Sequence, residues 1–298
     1  MDFIWNGCKK LDDTRWLDIE ENVQFSLANS WLNSPSKDCF FISDRENFVY
    51  NNRWNLNYVL SYYGSVFGTD IIYNSEIIHL NLPEIQKFKN SKILVIGGGP
   101  TTLSASWDPN DYDFIFSCNH FFLSDKLKNL DIALATFTTE TDFSETNKDF
   151  HDYMQNNSTI ICFEDRMQPE EREHFKLIKN LYPDRSMYAH TRYRGKIGAV
   201  PRLVCMAVLF GCSELHVVGL DGMKKDEKTS DNLGHAFQKD KPRIGTTDYN
   251  LYRRHYVAFW DYLLNHIGRD VKFQNLGEGH PFNMTTDISR QLFPLEKK

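Results

Sequence analysis

The chain has 298 residues, 41% of them hydrophobic and 25% charged, with a formal net charge of −6. That length makes one large domain or two small ones, with enough apolar side chains for a sizeable core. The acidic balance argues against a general nucleic-acid-binding surface, which is normally basic, and leaves room only for a local basic cleft.

The N-terminus, MDFIWNGCKK, lacks the basic stretch and apolar core of a signal peptide. No run reaches the roughly 20 apolar residues that cross a bilayer. The six cysteines form no C-x-x-C pair and no Cys/His group with zinc spacing. Cys118, Cys162 and Cys205 lie in apolar runs and read as buried thiols. A soluble protein of a reducing, cytoplasmic compartment is expected.

Residues 1–90, rich in Asn, Asp, Trp and Tyr, read as an N-terminal extension. Within it, WNLNYVLSYYGSVF (Trp54–Phe67) has helical periodicity, and a short strand is expected at Ile71–Tyr73 or Ile77–Leu80. The character changes at Lys92. Strands are expected at Ile93–Ile96, Phe114–Ser117, Ile132–Ala135, Thr159–Cys162, Leu215–Val218 and Lys272–Phe273. Several are continuous apolar runs, as in a sheet covered on both faces. Helices are expected near Thr146–Gln155, Pro169–Leu181, Ala199–Phe210 and Tyr249–His266. Strands and helices in alternation predict an α/β fold, a Rossmann-like parallel sheet flanked by helices, over 91–298. Pro201 suits the first turn of the Ala199 helix and Gly211 its end. The polar stretch at about 222–247 is long enough to be a lid.

Five features bear on chemistry. KILVIGGGPT runs a strand into Gly97, Gly98 and Gly99, with Thr101 opening the segment after. Such a turn lets backbone N–H groups approach an anion, or is simply a tight strand-to-loop turn. It is neither G-x-G-x-x-G nor a Walker A loop. Asn119 ends the next strand, where an amide offers a donor and an acceptor to a ribose or base. Asp221 ends a later strand, as a metal or hydroxyl partner or as a turn cap. His235, within the lid stretch, is a candidate general acid or base. Basic residues gather at His190, Arg192, Arg194 and Lys196, at Lys239, Lys241 and Arg243, and at Arg253 and Arg254. They suit an anionic ligand, or form a solvated face.

VIGGGPT, then PNDYDFIFSCNHFF with DKL after it, then a glycine-started helix ending in AVLFGCSELHVVGLDG, together resemble the bacterial CMP-sialic acid sialyltransferases with a single Rossmann-like domain. The related pterin diphosphokinase-like and motility-associated glycosyltransferase proteins are similar too. The resemblance spans about Lys92 to Phe273. It implies that the glycine turn meets nucleotide phosphates, that Asn119 meets ribose or base, and that the segment at Gly198 approaches the donor. His235 stands where the family has a phosphate-binding tyrosine. Two departures stand out. Gly98 replaces an Asn, and the lid histidine that precedes a T-D pair in the family is missing upstream of Thr247-Asp248, where the aligned position falls near Arg243.

The resemblance implies a nucleotide-sugar glycosyltransferase, with a UDP- or CMP-linked donor and no tightly bound cofactor. Asp248, His235, His255 and Asp221 are the candidates for the catalytic groups. Arg192, Arg194, Lys196 and Arg243 would contact acceptor or phosphate. The acceptor is a glycan or 5-hydroxymethylcytosine in bacteriophage DNA. The latter needs base flipping and stacking aromatics, for which Tyr188, Tyr193 and Trp260 are candidates, and would set the enzyme in the host cytoplasm. A pterin-type diphosphokinase using ATP and Mg²⁺, with Asp221 as one carboxylate, and a non-enzymatic nucleotide-binding module stay open beside it.

Overall fold

The computed structural model describes residues 4–5, 8–11, 15–26, 83–138, 141–164, 174, 177–189, 197–222, 235–237, 249–264, 268 and 270–277. The expected helix Trp54–Phe67 and the strands near 71–80 lie outside them. So do residues 169–173 and 175–176 of the helix expected at Pro169–Leu181, of which residues 174 and 177–181 are helical.

The larger sheet has seven strands: β5 (Lys92–Ile96), β6 (Phe114–Cys118), β7 (Ile132–Thr136), β8 (Ile160–Glu164), β9 (Ser186–Ala189), β10 (Glu214–Val218) and β11 (Lys272–Asn275). Their spatial order is β11-β10-β5-β6-β7-β8-β9, and every neighbouring pair is parallel. The α/β expectation therefore holds, and the six expected strands are present with ends shifted by one or two residues. The edge strand β9 was not anticipated. SMYA is short and only half apolar, and gives no run to detect.

Helix α1 (Thr101–Ser104) is a single turn, followed in the chain by α2 (Lys148–Asn156), α3 (Val200–Leu209) and α4 (Tyr249–Tyr262). In α3, the consecutive residues Leu203 to Ala207 are all 0% exposed, so this helix is buried on every side. It packs on β5, β6 and β10. Gly211, at φ 89°, ends it as expected. An aromatic cluster holds α2 to the sheet: the Tyr153 ring lies 4.9 Å from Phe121, and the Phe150 ring 5.5 Å from Phe137. On the other side Trp260 of α4 is fully buried, 5.1 Å from Phe273 of β11. Trp260 is thus a core residue and cannot stack on a nucleic-acid base.

A second, antiparallel sheet runs β1 (Ile4–Trp5), β2 (Cys8–Lys10), β3 (Arg15–Asp18) and β4 (Val23–Ser26) in sequential order. It docks on α4 through charge. Arg253 Nη2 donates to the fully buried Asp18 at 2.5 Å, Arg253 Nη1 pairs with Glu20 at 3.1 Å, and Arg254 reaches Asp18 at 3.4 Å. Asn250 Nδ2 donates to Glu21 at 2.6 Å. The expectation that Arg253 and Arg254 meet an anionic ligand is corrected here: their partners are carboxylates of the chain itself. Burial pushes the Asp18 carboxyl up. The Arg253 hydrogen bond, the Glu21 N–H and the two guanidinium charges outweigh that and hold it below the usual carboxylate range.

Candidate functional site

From β5 the chain runs outward through β6, β7, β8 and β9, then returns to lay β10 on the other side of β5. The strand order reverses there, and in open parallel sheets ligands bind at the carboxyl ends of the strands flanking such a reversal. β5 ends in Gly97-Gly98-Gly99, β10 in Gly219-Leu220-Asp221-Gly222, and β11 in Leu276-Gly277.

The three glycines do different things. The Gly97 N–H donates to Val218 O at 2.8 Å and the Gly99 N–H to Gly219 O at 3.0 Å, so the ladder between β5 and β10 continues past the strands. A Cβ on Gly97 would stand 2.5 Å from both Gly219 O and Val200 Cγ2. Two of the turn's N–H groups are thus spent on β10, because parallel neighbours at a reversal keep pairing where no side chain parts them. The Gly98 N–H takes no partner among the described residues. Gly98 is half-buried under the imidazole of His235, and a Cβ there would overlap the ring at Cε1 and Nε2. Its carbonyl accepts the Ala236 N–H at 2.8 Å. The segment His235–Phe237 is therefore seated on the turn. His235 Nδ1 accepts the Phe237 N–H at 3.2 Å, which in the neutral ring assigns the proton to Nε2, the side facing Gly98.

Asp221 is buried, and its carboxylate accepts the Thr101 N–H at 3.0 Å and the Thr101 hydroxyl. The same hydroxyl oxygen accepts the Gly219 N–H at 3.0 Å, and Thr102 Oγ1 donates to Gly97 O at 2.6 Å. The Asp221 carboxylate thus holds the first residue of α1, 120 positions away, and not the turn that follows it in the chain. Asn275 at the end of β11 is fully buried. Its Oδ1 accepts the Gly277 N–H at 2.9 Å while its Nδ2 has no partner. A Cβ on Gly277 would stand 2.8 Å from Asp221 Oδ1, so the ends of β5, β10 and β11 meet at one carboxylate.

Asn119 follows β6 at φ 53°, a left-handed conformation that Asn tolerates. Its N–H donates to Thr136 O and its Oδ1 accepts the Thr138 N–H, both at 2.9 Å, which leaves the amide nitrogen as the uncommitted end. Gly198, at φ 91°, is exposed with no atom within 4 Å of a Cβ position, and its left-handed conformation opens the turn into α3. His255 is half-buried on α4. Its neighbour Tyr256 donates to Leu220 O at 3.3 Å, which ties α4 to the loop of β10. Asp248, Arg192, Arg194, Lys196 and Arg243 lie outside the described residues, as do Tyr193 and most of the stretch 222–247. Cys118 ends β6 as a buried thiol pushed up to about 12 by burial, and is no nucleophile. Among the described residues no group of three or more His, Cys, Asp and Glu could hold a metal ion.

Thr102, Gly219, Asn275 and Gly277 were not expected at the site. The sequence signal for the last two was available in F-Q-N-L-G, a strand running into a glycine as β5 and β10 do, here after a polar residue. No helix among the described residues is long and apolar enough to cross a membrane.

No family model and no curated protein matches the sequence. Among solved structures, the chain is similar to the sialyltransferase CstII from Campylobacter jejuni in complex with a substrate analogue, cytidine-5'-monophosphate. That match has 15% identity over 63% of this chain and 81% of that chain, with a TM-score of 0.44. It is also similar to the monofunctional alpha-2,3-sialyltransferase Cst-I of the same organism, at 15% identity over 63% and 76% of the chains and a TM-score of 0.45. An alpha-2,3-sialyltransferase from Campylobacter jejuni in apo form matches at 15% identity over 63% and 76%, with a TM-score of 0.40.

Proposed function

We propose that the chain is an inverting glycosyltransferase whose nucleotide-sugar donor lies over the Gly97–Gly99 turn, with 91–298 as the catalytic unit and 1–90 as an extension. One observation carries this most directly: the reversal of strand order falls on a glycine turn whose central residue is roofed by a histidine from the segment after β10. Among the described residues the Gly98 N–H and the Asn119 amide nitrogen are uncommitted donors there, as is the buried Asn275 Nδ2; the first two suit a phosphate oxygen and a ribose or base.

In the reaction an acceptor oxygen attacks the anomeric carbon, the bond from that carbon to the phosphate oxygen breaks with its electron pair leaving on the phosphate, and the acceptor's proton passes to a base. His235, with its proton on Nε2, suits the phosphate side as a hydrogen-bond donor to the leaving group. Asp248 or His255 then takes the acceptor proton. Asp221, with its carboxylate held by Thr101, is a positioning residue for the turn. Arg192, Arg194, Lys196 and Arg243 are assigned to phosphate or acceptor. The donor is UDP- or CMP-linked. The acceptor hydroxyl belongs to a glycan or to 5-hydroxymethylcytosine in bacteriophage DNA. The diphosphokinase alternative needs a carboxylate pair on Mg²⁺, and Asp221 is already engaged by Thr101.

A thermal-shift screen with CMP, UDP, GDP and ATP, with and without Mg²⁺, tests the donor side. A cytidine or uridine nucleotide at about 100 times its Kd should stabilise the protein by about 2.7 kcal/mol. Stabilisation by ATP alone, and only with Mg²⁺, would replace the transferase by the diphosphokinase. Transfer from the matching sugar nucleotide to hydroxymethylated duplex, against transfer to a lactose-type glycan, then separates the acceptors.

A further inference from the structure

Helix α1 is a single turn of four residues. The chain that continues from it to β6 arches over β5 and β10 and leaves a cavity of about 710 Å³, lined by Lys92, Trp107, Asp108, Asp111, Tyr112 and His216 among the described residues. That volume falls within the range of about 300–1,000 Å³ usual for small-molecule sites. The lining also includes Leu276, which follows β11 beside the glycine-turn site; the six residues just named do not belong to that site.

The lining is fixed by its own contacts. Trp107 Nε1 donates to Thr102 O at 3.1 Å, and Lys126 Nζ lies 4.2 Å from the centre of the indole ring while donating to the same carbonyl at 3.0 Å. Tyr112 Oη stands 2.9 Å from His216 Nδ1; His216 Nε2 stands 3.1 Å from Glu214, which Lys92 pairs at 3.2 Å. Burial, then the Lys92 charge, lowers the His216 pKa, and burial pushes the Tyr112 phenol up to about 12, so both are neutral near pH 7. Only one proton arrangement satisfies them: Nε2–H donates to Glu214 and the Tyr112 hydroxyl donates to Nδ1. The phenol oxygen then keeps a lone pair as an acceptor. Asp108 accepts two bonds from Asn110 on a single oxygen, and the exposed Asp111 carboxylate accepts none.

The cavity thus offers acceptors and an aromatic wall. An anion is repelled by Asp108 and Asp111. A cation is drawn by the same carboxylates but repelled by the ammonium groups already on the rings, Lys126 on Trp107 and Lys92 on Tyr112 at 5.0 Å. What fits is a ligand rich in O–H donors and without charge. We infer that this cavity is a binding site for a neutral saccharide, held by its hydroxyls on Asp111, Asp108 and Tyr112 beside the Trp107 indole that lines it, separate from the donor site.

Isothermal titration of the full chain with methyl β-glucoside, methyl β-galactoside and methyl N-acetyl-β-glucosaminide tests it. Saturable binding of at least one is expected, weakened about tenfold by Asp111→Asn and by Trp107→Ala, with the nucleotide-induced thermal shift unchanged in both. Asp111 is exposed, so Asp111→Asn keeps the test valid even if Trp107→Ala disturbs folding. No saturable heat with any of the three, binding that survives Asp111→Asn, or Asp111-dependent binding of spermidine instead would each overturn the site. Failure here leaves the nucleotide screen untouched.

Discussion

At the scale of single residues, Gly98 and His235 form one unit. The imidazole occupies the volume a side chain at 98 would need. Gly98→Ala should therefore expel His235 from the turn and weaken nucleotide binding, while Gly98→Ala combined with His235→Ala should lose less than the two singles sum to. A double-mutant cycle read by thermal shift with the best nucleotide should give a coupling of about 0.5–3 kcal/mol, and strict additivity would separate the two residues. Asp221 offers a sharper contrast. As a cap for α1 it should cost about 1–3 kcal/mol of stability on change to Ala, seen in urea unfolding. A catalytic base at that position would instead abolish transfer with stability intact. The glycine turn at 97–99 was legible in the sequence, but not how its N–H groups are used. The competition for their N–H groups comes from Val218 and Gly219, some 120 positions away, and no local pattern reveals which carbonyl lies opposite.

At the scale of elements, the docking of the N-terminal β-meander on α4 rests on Asp18 and Arg253. Both are buried, so Arg253→Met strands a carboxylate out of water and should cost about 3–5 kcal/mol; Asp18→Leu with Arg253→Met should cost less than either alone. Equal or greater loss in the double variant, measured by urea unfolding, would count against this. Asp18 also sets an acid limit. Its folded pKa lies below the ordinary 3.8, so its contribution is complete above that value and drains away as pH falls through the folded pKa. Asp18→Asn should flatten the stability profile below about pH 4. The meander was not legible because R-W-L-D and V-Q-F-S alternate weakly and derive their stability from α4 charges far along the chain. The Leu203 helix was legible from end to end, since its proline, apolar run and glycine are all local. Leu203→Ala, in a helix buried all round, should cost about 2–5 kcal/mol.

For the whole molecule, the sheet could be read strand by strand from continuous apolar runs, whereas its order could not: only the return of β10 to the free side of β5 creates a reversal. That return has a consequence during synthesis on the ribosome. Until residues 214–218 emerge, β5 is an open sheet edge with unpaired amides, although it is among the most apolar strands of the chain. The carboxylate that caps α1 arrives 120 residues after the threonine that needs it. At about 5–20 residues per second, the nascent chain carries that naked edge for roughly 6–24 seconds. The junction of β5 with β10 comes into being only once residues 214–222 have emerged. A translational pause between β9 and β10 should therefore raise aggregation, and a nucleotide added to the medium cannot rescue a chain arrested there.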